Sequence, residues 1–310
     1  MKGIVVHFSQ TGNTRQIAQA IQTGMKQVMG ECDIAAIKEV NAQDLAKYDL
    51  IGLGAPIWRL SVPANVMAFI QSLPSLEGKH SFPFCSHGAL PVGFMKIITT
   101  ALMRKGLTII GYNDWYGGAF LPYLPKPYVT DGHPDEIDLK EAEDFGREMA
   151  ERSRRIYSGE TNLIPKLPEE TSDDSLWRIE ASPAGDVIKI RQTTREQRVI
   201  NIEKCKYPGC TLCMDNCPMD SIDFSVSPPV FKSNCQVDWF CEAICPEGAI
   251  EVDFGPLTKA HDFVVSGVFV RLLDEAEAKG TFRRYVPLEK VGWNTHQHEI
   301  TGHPRYVIPE

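Results

Sequence analysis

Short apolar runs alternate with longer stretches of helical spacing from Gly3 to about Gly159. The runs Ile4 to Phe8, Ile34 to Ile37, Leu50 to Leu53, Phe82 to Cys85 and Leu107 to Ile110 read as strands covered on both faces. Between them, Ile17, Ile21, Met25 and Val28 recur at helical spacing, as do Phe94, Ile97, Ile98, Ala101 and Leu102. A last helix is predicted from Leu139 to Ile156. Strands alternating with helices imply an α/β domain, a doubly wound five-stranded parallel sheet. Beyond Gly159 the pattern breaks. Pro165, Pro168, Glu169, Glu170, Asp173 and Asp174 oppose regular structure, so 161–197 reads as a linker, with an accessory strand from Val187 to Arg191. Arg198 to Ile202 predicts a strand that opens a second domain. Asp262 to Ala278 predicts a helix bearing Val265, Phe269, Leu272 and Ala276, and Tyr285 to Glu310, rich in turn signals, predicts an extended wrap. The expected division is 1–160, 161–197, 198–254 and 255–310.

The 310 residues suffice for two domains, and 43% hydrophobic against 23% charged positions describe a chain able to bury a core. Forty acidic against 32 basic residues give a net charge of -8, which leaves no basic footprint for a phosphate backbone and excludes nucleic acid as a partner. Met1-Lys2-Gly3 runs directly into the first strand, without the long apolar stretch of a signal peptide or membrane span, so a cytoplasmic location is expected. Of nine cysteines, seven lie between Cys205 and Cys245. Such density in a chain with a reducing address points to metal or redox chemistry rather than disulfides.

An offset of 28 residues superimposes Cys213 on Cys241, Cys217 on Cys245, Pro218 on Pro246 and Ile222 on Ile250, the mark of an internal duplication. The first copy reads Cys205-x4-Cys210-x2-Cys213-x3-Cys217-Pro218, the second Cys235-x2-Asp238-x2-Cys241-x3-Cys245-Pro246. Zinc prefers two separated cysteine pairs and fits seven cysteines with two Cys-Pro endings poorly, while inert buried thiols occur singly. The two copies resemble the bacterial two-cluster ferredoxins, a small α+β fold in which the fourth cysteine of each half reaches across to the other cluster. The resemblance implies one cluster on Cys205, Cys210, Cys213 and Cys245, and another on Cys235, Asp238, Cys241 and Cys217. Short gaps would let the chain curl round an iron-sulfur cube with its amides toward the sulfurs. Two positions depart from the family. Its first ligand would fall at Tyr207, whereas Cys205 lies two residues earlier, so the loop Lys206 to Gly209 must be longer. Asp238 replaces a cysteine, and a carboxylate is a harder donor than thiolate. The expectation is a 4Fe-4S cluster with an Asp238 ligand that converts readily to 3Fe-4S.

The segment Ser9-Gln10-Thr11-Gly12-Asn13-Thr14 joins the first strand to the first helix, where unpaired amides, hydroxyls and a glycine form a phosphate cradle. With no lysine and one glycine it is neither a Walker loop nor a dinucleotide fingerprint. It resembles the flavin mononucleotide (FMN) phosphate loop of flavodoxins, and the strand and helix order agrees. The resemblance implies two further loops at strand ends that hold the isoalloxazine. Gly54-Ala55-Pro56-Ile57-Trp58 supplies Pro56, Ile57 and Trp58, with Trp58 either stacked on the ring or packed in the core. Ser86, His87 and Gly88 follow the fourth strand, with His87 either a flavin neighbour or a solvated loop residue. Trp115 to Tyr128 reads as an insertion that roofs the flavin, docks the second domain or merely connects. Cys32 and Cys85 read as core, and His296, His298 and His303 as loop residues rather than a metal site.

The whole chain resembles the flavodoxin and ferredoxin fusions, iron-sulfur flavoproteins of anaerobes. The resemblance implies electron transfer between two clusters and FMN, and on to or from a partner protein that docks on an acidic surface. Two other readings stay open at this point. One is direct reduction at FMN of a small acceptor such as a quinone, nitro compound or metal ion, and the other is a cluster-based redox sensor.

Overall fold

The computed structural model describes residues 1–58, 61–91, 93–167, 193–194 and 196–308. The accessory strand expected from Val187 to Arg191 lies outside the described residues. Five parallel strands, β1 (Gly3–His7), β2 (Cys32–Ala36), β3 (Leu50–Pro56), β4 (His80–His87) and β5 (Thr108–Ile109), form a sheet in the order β2-β1-β3-β4-β5. A sixth segment, β6 (Asn113–Tyr116), also pairs with β4, from Phe84↔Asn113 to His87↔Tyr116, whereas β5 pairs only with His80 and Ser81. One lane of the sheet is thus built from two short pieces. This corrects the reading of Trp115 and Tyr116 as part of an insertion: Trp115 lies in a strand and is 3% exposed.

Pleating sends Ile4 and Val6 to one face and Val5 to the other, and each face is sealed by helices. On the Val5 face, α1 (Asn13–Met29) contributes Ile17, Ile21 and Met25, and α4 (Glu136–Tyr157) contributes Ala142, Met149 and Ile156. On the other lie α2 (Ala64–Ser72) with Val66 and Ile70, and α3 (Phe94–Met103) with Phe94, Ile98 and Leu102. Ile97, expected in that buried stripe, is exposed because the i, i+4, i+8 row wins the face. Helices α1 and α4 touch backbone to backbone. A Cβ on Gly24 would overlap the Glu143 carbonyl, and one on Gly146 the Ile21 carbonyl. The N-terminus of α4 is closed by a capping box between Asp135 and Asp138.

The chain forms two compact units, one of Met1–Gly118 with Gly132–Ser172, the other of Ala119–Asp131 with Asp173–Glu310. The second unit displays the duplication in its geometry. Helices α5 (Leu212–Asp215) and α6 (Phe240–Ala243) stand 28 residues apart, as do strands β8 (Ile222–Asp223) and β10 (Ile250–Glu251). β7 (Val199–Ile200) runs antiparallel to β10, and β9 (Val230–Phe231) antiparallel to β8. Ile200, Ile222 and Ile250 bury themselves together between these pairs. From Ile200 to Cys213 the first copy is three residues longer than the second from Phe231 to Cys241, which locates the extra loop that Cys205 demands.

The single helix expected over Asp262 to Ala278 begins earlier and is broken. α7 (Gly255–Val264) passes through a π turn, Val265–Phe269, into α8 (Val270–Ala278). The extra residue of the π turn advances the buried stripe from Leu272 to Leu273, which is fully covered. The tail folds back along this unit. Both Arg305 N and Tyr306 N donate to Ala243 O, at 2.8 and 3.0 Å, and residues 119–131 bond to it through Lys126 N to Thr295 O and Gln297 N to Leu124 O. No helix among the described residues is long and apolar enough to cross a membrane.

Candidate functional site

At the carboxyl edge of the parallel sheet, the loop Ser9 to Gly12 leaves β1 and turns into α1. Gly12 takes φ 95°, a left-handed conformation that suits glycine, and its N–H donates to Ser9 Oγ at 3.1 Å. The first turn of α1 carries no side-chain cap and no acidic residue, so its amides remain available to an anion. Thr14 and Ser86, both buried, share a hydrogen bond of 2.7 Å between their hydroxyls, which fixes this loop to the end of β4. Asn13 Nδ2 donates to Gly118 O at 2.7 Å, tying it to the segment after β6. The register Pro56↔Ser86 brings the β3 and β4 ends side by side. Beyond them Ile57 and Trp58 are half-buried, and Trp58 forms a bridge with Ser61. Among the described residues Trp58 Nε1 is buried without a partner, as is His87 Nδ1. The other nitrogen of His87, Nε2, bonds Asp114 Oδ2 at 2.8 Å, and its ring meets Tyr116 edge-on at 4.8 Å. His87 is therefore an oriented, buried group, and Gly88 continues the same strand end. Burial drives the His7 imidazole down from 6.5 to about 4, with Glu39 opposing and Arg15 assisting.

In the second unit cysteines of the two copies lie near one another. Burial raises the Cys213 thiol to about 12, helped by the charges of Cys245, Cys205 and Cys210, its neighbours in the expected first set. Cys217, Cys235, Asp238 and Cys241, the expected second set, line one narrow cavity of about 10 Å³. Burial and the charges of Asp238, Cys235 and Cys213 push Cys241 well up, with Arg198 opposing. Equivalent amides serve equivalent sulfurs: Ser221 N donates to Cys217 Sγ and Ala249 N to Cys245 Sγ, each at 3.3 Å and each four residues on. Asp238 accepts from Phe240 N at 3.1 Å and from Gln236 Nε2 at 3.0 Å. The residues on either side of it, Val237 and Trp239, both take φ 60°, a conformation that costs such side chains about 1–3 kcal/mol each. On the Cys205 side lies an open groove of about 250 Å³ lined by Ile202, Tyr207, Phe224, Val226 and Pro229.

Residues 4–91 match the family described as Flavodoxin domain. The sheet order is that of the flavodoxin-like doubly wound folds. Over 180 residues the chain is 26% identical to a flavodoxin of Aquifex aeolicus, an alignment covering 54% of this chain and 96% of that protein. The N-terminal half carries a flavodoxin-like domain. The chain is also 25% identical over 198 residues to an NAD(P)H dehydrogenase (quinone) of Afipia carboxidovorans, covering 50% of this chain and 98% of the other. A 56-residue stretch, 17% of this chain, is 32% identical to an uncharacterized ferredoxin of Methanocaldococcus jannaschii and covers 90% of it.

Sequence reading missed several groups. In the flavodoxin-like domain Asp114 orients His87, a role hidden because β6 was not recognised. His133 sits 5.8 Å from the far side of Tyr116 and bonds Asp138 at 2.5 Å, so its carboxylate also closes α4. In the second unit Arg198 and the buried Glu242–Arg305 ion pair flank the cysteines. Only the strand register reveals the former, and only the returning tail the latter.

Proposed function

We propose that this chain is an electron-transfer protein that holds FMN at the carboxyl edge of its flavodoxin-like domain and two iron-sulfur clusters among its seven clustered cysteines. Electrons then pass between these centres and a redox partner. The observation that carries the reading is the nearness of donors from both copies, Cys245 beside Cys205, Cys210 and Cys213, and Cys217 in one cavity with Cys235, Asp238 and Cys241, which supports crossed ligand sets. A mononuclear zinc site supports less of the geometry. Tetrahedral thiolates at about 2.3 Å from zinc stand about 3.8 Å apart, yet among the described residues no three of these ligand atoms lie within 4.8 Å of one another. A cube holds its thiolates farther apart than a single zinc ion does, which agrees better with that spacing. The 32% identity to a ferredoxin supports the same assignment.

Bound FMN would supply two electrons singly or together, and each cluster one, which makes the chain a converter between two kinds of partner. The residues of this chain do the rest. Ser9, Gln10, Thr11, Gly12, Asn13 and Thr14 would bind the phosphate with hydroxyls and amides, Pro56, Ile57 and Trp58 would flank the ring, and Ser86, His87 and Gly88 would meet its edge. The Asp114 carboxylate bonds His87 Nε2 at 2.8 Å and so fixes the orientation of the ring. On the metal side, Cys205, Cys210, Cys213 and Cys245 form an all-thiolate set. Asp238 enters the other set, with Cys235, Cys241 and Cys217, as a ligand whose two oxygens already accept hydrogen bonds, which supports weak attachment of that iron.

Anaerobic purification with iron, sulfide and flavin analysis, followed by a spectroscopic redox titration, tests the reading. We expect both chromophores to appear and to exchange electrons, and a colourless preparation would refute it. Asp238→Cys should abolish conversion of the second cluster to a three-iron form, read by paramagnetic resonance. The similarity to a quinone dehydrogenase favours a second reading, reduction of a small acceptor at FMN itself, and steady turnover of a quinone without a partner protein would select it.

A further inference from the structure

Arg198, just before β7, is 8% exposed. Its Nη1 donates to Cys235 Sγ at 3.2 Å, and its guanidinium lies 3.8 Å from the Phe231 ring centre and 5.9 Å from that of Trp239. Its Nε is buried with no acceptor, and among the described residues it joins no carboxylate in an ion pair. A covered guanidinium with no carboxylate in ion-pair contact is unfavourable, so it favours added negative charge in the cavity it borders. The cavity it borders is the one lined by Cys217, Cys235, Asp238 and Cys241. The other half offers a control. Ile200 and Phe231 hold equivalent places against β10 and β8, so the residue equivalent to Arg198 is Pro229, which lines the open groove beside Cys205.

We infer that Arg198 is the counter-charge of the second cluster. One electron added to that cluster, from dithionite in a titration, increases its negative charge by one, and the fixed guanidinium stabilises that reduced state selectively. Arg198 thus raises the reduction potential of the cluster it faces above what the same ligands would give without it. The inference rests on the iron-sulfur reading above.

The test compares full-length wild type, Arg198→Gln and Arg198→Lys, purified anaerobically, assayed for iron and sulfide, and titrated with dithionite under paramagnetic resonance. Arg198→Gln should lower one midpoint potential and leave the other and the flavin unmoved, and Arg198→Lys should restore most of the shift. If Arg198→Gln instead loses the second cluster, its retention in Arg198→Lys supports the same role, whereas equal loss in both overturns it. Full iron with both midpoints unchanged in Arg198→Gln also overturns it. A wild type that holds no iron refutes the cluster reading itself and so is distinguishable from a failure of Arg198 alone.

Discussion

In the flavodoxin-like domain the loop Ser9 to Gly12 hangs from a sheet whose β4 strand is buried along all eight residues and whose two faces are each sealed by helices. Among the cysteines of the second unit no strand exceeds two residues and no helix four, and the buried apolar residues are few, Ile200, Ile222 and Ile250 in one cluster with Trp239, Phe240 and Ile244 beside it. The first site is a by-product of a stable scaffold. The second is a set of loops and short elements on a smaller core, which the proposed clusters would brace.

Metal removal breaks this comparison most decisively. Chelation should abolish hydrogen-exchange protection across residues 199–251 and leave that of β1 to β4 intact, and protection surviving in both regions would show that apolar packing suffices for each. The converse lesion is Gly146→Val, whose side chain would collide with the Ile21 carbonyl where α1 and α4 meet. We expect about 3 kcal/mol or more of destabilisation in chemical denaturation, confined to the flavodoxin-like domain. Acid should separate the two regions further. The buried His7 titrates near 4 when folded and near 6.5 when unfolded, so the unfolded chain takes up the proton first. The stability of that domain is full above pH 6.5 and declines as pH falls toward 4, by up to about 1.4 kcal/mol per pH unit. His7→Gln should flatten that slope. The smallest effect belongs to Thr14→Val, which removes the hydroxyl pairing with Ser86 and should weaken FMN binding about tenfold in a fluorescence titration, with the fold unchanged.

What the sequence disclosed follows the same division. Strands buried on both faces advertise themselves as continuous apolar runs, and all five appear within a few residues of their expected places. Asn113-Asp114-Trp115-Tyr116 escaped because a polar pair opens the segment: Trp115 packs inward, while Asp114 is spent on His87. The helix around Phe269 was legible but not its phase, since no periodicity announces a π turn. The cysteine offset of 28 survives in helices, strands and sulfur-bound amides alike, so a repeat was the most faithful signal in the chain. Arg198 could not be read from it, because its partner Cys235 lies in the other copy and only antiparallel pairing brings them together.

Residues 119–131 leave the flavodoxin-like half of the sequence to bond with the tail around 295–297 and then return to start α4. Cutting the gene at 160 would consequently strand a strip of polypeptide from its hydrogen-bonding mate on each side of the cut. Expression of separate halves, or grafting either onto another protein, would need that strip rebuilt or the two fragments supplied together.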